Sequence, residues 1–125
     1  MSKDVIILGH GPTRIQCPYD KEVFGVNNCY EFAPRLDKLF IVDKITEAEF
    51  NFAKLAKVKC IVASVPYPQH PEWNIEVYPL REVLNKFRTK FFSNAICYMM
   101  AYALLKGYER MFFYGIDMMT STTYI

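Results

Sequence analysis

The chain has 125 residues, of which 52% are hydrophobic, so it can bury the core of one domain but is short for two. Lysine and arginine exceed aspartate and glutamate by only 15 − 13 = 2, and no basic cluster favours nucleic acid or anionic lipid. The longest apolar stretch, 95–105, is about half of what spans a bilayer, and no signal peptide is evident. We therefore predict one domain over residues 1–125, in the cytoplasm of a bacterium or phage-infected cell, with no nucleic-acid or membrane partner.

Short apolar runs punctuated by glycine or polar residues predict strands buried in a parallel sheet. The predicted strands are 3–9, 22–27, 38–43, 58–64, 110–115 and a weaker one at 75–78. Helical patterns lie between several of them, at 46–57, 79–86 and 93–106. Thr46 and Glu49 have the spacing of a capping box, which predicts that the first helix begins at Thr46.

The helix predicted at 93–106 begins at Ser93 as its N-cap and ends at Gly107. It is apolar almost all round, which indicates burial inside the domain or against a second subunit. A homo-oligomer formed through this helix is therefore one expectation, and an ordinary core helix is the other.

Alternation of strands and helices is typical of a doubly wound α/β fold. We predict a single Rossmann-like three-layer domain with a mostly parallel sheet of about five or six strands. In such a sheet the carboxyl ends of the strands share one edge, and ligands bind there at the switch in strand order.

Polar residues follow most of the predicted strands, and the loop Gly9–His10–Gly11–Pro12–Thr13 is the sharpest motif among them. Glycines let backbone amides approach a ligand oxygen, and Pro12 suits the first turn of a helix. Thr13 would add a hydroxyl donor. The third glycine of the dinucleotide fingerprint is replaced by Arg14, and a tight turn without ligand is the competing interpretation.

Asn27, Asn28 and Asp43 end the second and third predicted strands. The two carboxamides suit a nucleobase edge or ribose hydroxyl, and equally an Asx turn. Asp43 could bind ribose or a metal, or cap the helix predicted near Thr46.

Ser93, Asp117 and His10 complete the candidate site. Ser93 is an N-cap or part of an anion site at the helix start. Asp117 is a ribose or base acceptor or a loop-forming residue. His10 is a proton donor to a leaving group or only a hydrogen-bonding residue.

Four cysteines, Cys17, Cys29, Cys60 and Cys97, are spaced too irregularly for a zinc site, so we predict unpaired thiols and no metal. No Ser–His–Asp or Cys–His set can be assigned from spacing, and no Walker lysine motif is present.

Two motifs together resemble known enzymes. The chain resembles segments of bacterial CMP-sialic-acid-dependent sialyltransferases in two places. The first is Val5-Ile6-Ile7-Leu8-Gly9-His10-Gly11-Pro12-Thr13 followed by Val26-Asn27-Asn28. The second is Phe92-Ser93-Asn94-Ala95 with Tyr114-Gly115-Ile116-Asp117. The related hydroxymethylpterin pyrophosphokinase group and small phage-encoded proteins, the latter with a segment like Cys17-Pro18-Tyr19-Asp20, are similar too.

The resemblance implies roles for particular positions. It implies that the glycine loop, Asn27 or Asn28, Ser93 and Asp117 contact a cytidine nucleotide. Those enzymes usually have asparagine where this chain has His10 and serine where it has Thr13. Their catalytic histidine follows the Gly-Ile-Asp segment, and no histidine follows Asp117 here. The chemistry is then lost, or is supplied by His10 or another subunit, or the chain is a fragment.

The sequence is compatible with three functions. The first is a minimal glycosyl- or phospho-transferase that uses a nucleotide or nucleotide-sugar donor, with His10 as its acid. The second is a non-catalytic nucleotide-binding or sequestering protein of phage type. The third is an interaction domain with a vestigial pocket.

Overall fold

The computed structural model of the chain describes residues 3–89 and 94–116. Within them, six strands form one sheet in the order β5-β4-β3-β2-β1-β6, and every neighbouring pair is parallel. The strands are β1 (Asp4–Leu8), β2 (Glu22–Val26), β3 (Lys38–Ile41), β4 (Ile61–Ala63), β5 (Ile75–Val77) and β6 (Arg110–Tyr114). The α/β fold predicted from the alternating pattern is confirmed, and the weak prediction at 75–78 is a real edge strand.

In the described part of the chain, three α-helices connect the later strands: α1 (Phe52–Leu55), α2 (Leu80–Phe87) and α3 (Ala95–Leu105). Two short 3-10 helices, Pro12–Gln16 and Asn27–Glu31, follow β1 and β2. Pro12 occupies the first turn of its helix, as predicted, because its fixed φ suits that position. Gly107 follows α3 with φ +88°, the left-handed geometry expected of a C′ glycine.

Two predicted helix starts are wrong. The segment from Thr46 forms a turn closed by the Phe50 N–H on the Thr46 carbonyl, and α1 begins only after Asn51, whose side chain accepts from the Lys54 N–H. Asp43 therefore caps no helix. The N-cap of α3 is Asn94, since its Oδ1 accepts from the Cys97 N–H at 3.0 Å, and Ser93 itself lies outside the described residues.

The two faces of the sheet are covered by different elements because successive side chains on a strand point to opposite sides. Phe24 of β2 packs edge-on against Tyr102 of α3. The next residue, Gly25, faces the other layer, where an added Cβ would lie 2.6 Å from the Leu36 side chain. The core of fully buried strand residues lies between these layers, which gives the three-layer architecture. In residues 3–89 and 94–116, no helix has both the length and the apolarity to cross a membrane.

The order of strands reverses at β1, with β2 on one side of it and β6 on the other. This switch point is closed by backbone contacts between the two strand ends. The Gly9 N–H donates to the Tyr114 carbonyl at 2.9 Å, and the Gly11 N–H donates to the Gly115 carbonyl at 2.8 Å. A Cβ on Gly9 would lie 2.5 Å from the Gly115 carbonyl oxygen. The ends of β1 and β6 can therefore approach this closely only with glycine at position 9.

The amino ends of the strands are joined by polar side chains. Arg110 makes two 2.9 Å bonds to Asp4, Tyr108 donates to Glu22, and Lys38 donates to Glu76 at 2.7 Å. Each of these contacts joins a residue at the start of one strand to another element. The charges at this edge therefore hold the strands together.

Candidate functional site

A cavity of about 590 Å³ opens at the carboxyl edge of the sheet, within the size range of small-molecule sites. It lies over the ends of β2 to β5 and under the start of α3. The described residues that line it are Asn27, Val42, Asp43, Ser64, Tyr78, Leu80, Asn94, Ala95 and Tyr98. Asn27 and Asp43, both predicted from the sequence, are thus brought together.

Asn27 follows β2 in the left-handed conformation, with φ +51°. Asparagine adopts this conformation more readily than most residues, which explains its place at the turn. Within residues 3–89 and 94–116, its carboxamide makes no hydrogen bond. The side chain therefore has its donors and its acceptor available to a ligand in the cavity.

Asp43 lies two residues after β3 and is exposed. Its carboxylate forms no ion pair or hydrogen bond with the described part of the chain. The carboxylate is an acceptor of hydrogen bonds and contributes the negative charge of the lining. Its chemistry suits hydroxyl or amino groups and opposes an adjacent phosphate.

Aromatic and apolar groups form the remaining wall. The Tyr78 hydroxyl donates to the Tyr98 carbonyl at 2.6 Å, and the two rings meet edge to face. Burial raises the pKa of Tyr78, which keeps its hydroxyl protonated as a donor. This bond joins the end of β5 to α3, so it fixes the wall over the cavity. Leu80 is 46% exposed and adds apolar surface at the entrance.

Ser64 directly follows β4, and its hydroxyl donates to the Val42 carbonyl at 2.8 Å. This bond ties the tips of β3 and β4 together. The Ser64 oxygen can accept a hydrogen bond from a ligand, but it cannot donate one while its hydroxyl donates to Val42.

The glycine loop does not contribute to the described lining of this cavity. The Gly9 and Gly11 amides already donate to carbonyls of the β6 end, and the Thr13 hydroxyl accepts from the Gly115 N–H at 2.8 Å. These two amides close the β1–β6 corner and do not favour the predicted phosphate contact of the loop, which stays a prediction. Both amides thus take part in a tight turn, as the competing interpretation predicts for the backbone.

His10 lies between the tips of β1 and β2. Its Nε2 is 3.0 Å from the Val26 carbonyl, and its ring meets Phe32 edge-on. A carbonyl only accepts, so Nε2 carries the hydrogen in this bond. The structure therefore gives His10 a positioning role immediately before Asn27, and its role as an acid stays a prediction.

Asn28 makes neither an Asx turn nor a contribution to the described lining. Its side-chain amide donates to the Glu49 carbonyl at 2.9 Å and so holds the loop after β3. The predicted ligand contact of Asn28 has no support in this geometry.

Ser93 and Asp117 lie outside the described residues, and their predicted roles stay predictions. The sequence reasoning missed Tyr78, Leu80, Asn94 and Tyr98. Tyr78 directly follows β5, so the strand-end pattern that identified Asn27 and Asp43 would have identified it too. Asn94 and Ser93 are both good N-cap residues, and nothing in the sequence distinguished them.

All four cysteines are free, and Cys17 and Cys29 are buried. No group of three or more potential metal-ligating side chains occurs in the described part of the chain.

The fold and this cavity define a Rossmann-like α/β domain with a candidate ligand site at the carboxyl edge of its sheet. Among solved structures, the chain is similar to the sialyltransferase CstII from Campylobacter jejuni, determined in complex with a substrate analogue, cytidine-5′-monophosphate. The match has a TM-score of 0.60 and 21% sequence identity, and covers 96% of this chain and 70% of that one. At this identity the match shows a shared fold. No protein-family model matches the chain, and no curated protein matches it.

Proposed function

We propose that this chain binds a nucleotide, with the nucleoside part in the carboxyl-edge cavity. The proposal rests on one observation. Two polar side chains without a partner in the described residues, Asn27 and Asp43, line the same cavity of about 590 Å³ as an aromatic wall. Parallel α/β sheets commonly bind nucleotides at this edge. The proposal treats residues 1–125 as one nucleotide-binding domain.

Asp43 is the group proposed to bind the ribose. A carboxylate has two oxygens that can accept from the two neighbouring hydroxyls of a ribose at once. Such charge-assisted bonds contribute about 1.5–3 kcal/mol each when they are shielded from water. Because Asp43 has no partner in the described residues, binding would not require an existing ion pair to break.

Asn27 and the aromatic wall are proposed to hold the base. A carboxamide has both donors and acceptor, which matches the mixed edge of a nucleobase. The apolar surface of Leu80, Ala95 and Tyr98 would cover the flat faces of the ring. Asn27 is oriented for this contact by its left-handed backbone and by the His10 bond to Val26.

The similarity to a structure that holds cytidine-5′-monophosphate makes this nucleotide the first to test. A thermal-shift panel of nucleoside mono- and diphosphates and nucleotide sugars would identify the ligand. A ligand at 100 times its Kd should stabilise the fold by about 2.7 kcal/mol, which raises Tm by several degrees.

The critical variant is Asp43→Asn, which keeps the shape of the side chain and removes the charge. We expect it to weaken nucleoside binding about tenfold in isothermal titration, the equivalent of one charge-assisted bond. Glu47→Gln is the matched control, because Glu47 is an exposed carboxylate outside the cavity lining. Equal affinities for the wild type and Asp43→Asn, or no stabilisation by any nucleotide, would refute the proposal.

Glycosyl transfer from a nucleotide sugar is the enzymatic form of the same proposal, and the fold shared with a sialyltransferase supports it. Incubation with a CMP-activated sugar followed by chromatography distinguishes the two forms. Release of free nucleotide that depends on the protein indicates a transferase or hydrolase. Quantitative recovery of the intact donor indicates a protein that binds or sequesters its ligand.

A further inference from the structure

A second cavity, of about 410 Å³, adjoins the first. It is lined by Lys44, Ser64, Val65, Pro66, Tyr67, Pro68 and Gln69. Ser64 lines both cavities, so the two are neighbours at the tip of β4. A ligand with two chemically different parts could therefore occupy both.

The two cavities carry opposite charge. Asp43 lines the first and its neighbour Lys44 lines the second. The Lys44 ammonium makes no ion pair or hydrogen bond within residues 3–89 and 94–116. An anionic group would be attracted into the second cavity and repelled from the first.

The wall of the second cavity is fixed before any ligand arrives. The buried Tyr67 has φ +49°, a left-handed backbone that is rare for a large side chain. Its hydroxyl accepts from the Ile45 N–H at 3.0 Å, and its carbonyl accepts from the His70 N–H at 3.0 Å. These bonds join the loop at 65–70 to Ile45, the residue that follows Lys44. Two prolines restrict the loop further.

The glycine loop offers a phosphate less than its sequence suggests, because the Gly9 and Gly11 amides donate to backbone carbonyls. We propose that the phosphate of the bound nucleotide lies in the second cavity, on the Lys44 ammonium and the Gln69 side-chain amide. This inference rests on the proposed function. In this arrangement the Ser64 hydroxyl donates to the Val42 carbonyl, and its oxygen faces the ribose between the two cavities.

The test compares the Kd values of cytidine and CMP by isothermal titration in the full-length protein. For the wild type, CMP should bind about tenfold or more tightly than cytidine, as one charge-assisted contact requires. For Lys44→Gln, the two Kd values should become nearly equal, while the Kd of cytidine stays at the wild-type value. Raising the salt concentration should reduce the preference for CMP in the wild type and leave Lys44→Gln unaffected.

Lys57→Gln is the matched control, since Lys57 is an exposed lysine outside both cavities, and this variant should keep the wild-type preference. If Lys44→Gln also keeps that preference, or if the wild type binds cytidine and CMP equally, the phosphate lies elsewhere. The nucleoside site would then stand. If the wild type binds neither compound, the proposed function fails and this inference fails with it.

Discussion

The two edges of the sheet differ in how their charged side chains are paired. At the amino edge, the residues that begin the strands are paired, as in Asp4 with Arg110 and Lys38 with Glu76. At the carboxyl edge, Asn27, Asp43 and Lys44 have no partner within residues 3–89 and 94–116. Paired groups stabilise a fold, whereas groups left unpaired at a concave surface are available to a ligand. The amino edge thus stabilises the fold, and the carboxyl edge is the part that we propose binds the nucleotide.

The carboxyl edge is itself divided. Its β1–β6 corner is closed by Gly9, Gly115 and Thr13, and only the tips of β2 to β5 surround the described cavity. Substitutions in the closed corner, at the amino edge and around the cavity should therefore differ in their effect on stability.

The largest effect is expected at the closed corner. Gly9→Ala would place a Cβ 2.5 Å from the Gly115 carbonyl oxygen, so the β1 and β6 ends must separate. We expect a loss of about 2–3 kcal/mol in the free energy of unfolding, measured by urea denaturation. Gly107→Ala is the comparison, because a Cβ there meets nothing within 4 Å and only its backbone is strained. It should cost about 1 kcal/mol. Equal losses for the two variants would show that the corner is not tightly closed.

An intermediate effect is expected at the amino edge. Burial raises the pKa of Glu76, but hydrogen bonds from Lys38 and Tyr102 outweigh burial and hold it below its usual value. Glu76→Gln should therefore lower the free energy of unfolding by about 1–2 kcal/mol at neutral pH. This figure allows for the partial exposure of the side chain, which weakens its interactions. Because the folded-state pKa is lowered, the contribution of the charge is full above the unfolded pKa and disappears as the pH falls through the folded pKa.

Denaturation of the wild type and Glu76→Gln at several pH values tests that sign. The difference between their free energies of unfolding should be constant near neutral pH. It should shrink below about pH 4.5, the ordinary pKa of glutamate. Tyr102→Phe removes one of the hydrogen-bond donors to Glu76 and serves as an independent check, with an expected loss of about 1 kcal/mol in the free energy of unfolding. A difference that grows towards acidic pH would contradict the assigned direction of the pKa shift.

The smallest effect on stability is expected at the open part of the carboxyl edge. Asp43→Asn and Lys44→Gln remove charges that hold nothing together in the described structure, so each should change the free energy of unfolding by less than about 0.5 kcal/mol. Thermal denaturation without ligand provides the measurement. A loss comparable to that of Glu76→Gln would mean that these side chains have structural partners.

The strands and the fold class could be predicted because a buried parallel strand has a continuous apolar run such as Val5–Leu8, whatever surrounds it. The helix start at Thr46 could not be predicted correctly, because Thr46 and Glu49 have the spacing of a capping box but lie in an isolated turn, where their side chains bond to each other. Local patterns do not specify whether a helix continues beyond its first turn.

The lining of the carboxyl-edge cavity was predicted in part. Asn27 and Asp43 were found because they end strands, and strand ends in a parallel sheet share an edge. Gly9 and Gly11 were assigned to a ligand because a glycine indicates close backbone approach without revealing which backbone approaches. Here it is the end of β6, more than 100 residues further along the chain. The role of Lys44 depends on which cavity it lines, and only the fold supplies that information.

Backbone amide NMR during a titration with CMP tests the central claim most directly. Shifts should concentrate at Asn27, at Val42 to Lys44, at Ser64 and at the start of α3, while the amides of Asp4, Glu22, Lys38 and Arg110 at the amino edge stay in place. Shifts confined to residues 9–13 or to the amino edge, with the signals of Asn27, Asp43 and Ser64 unmoved at saturation, would contradict the account.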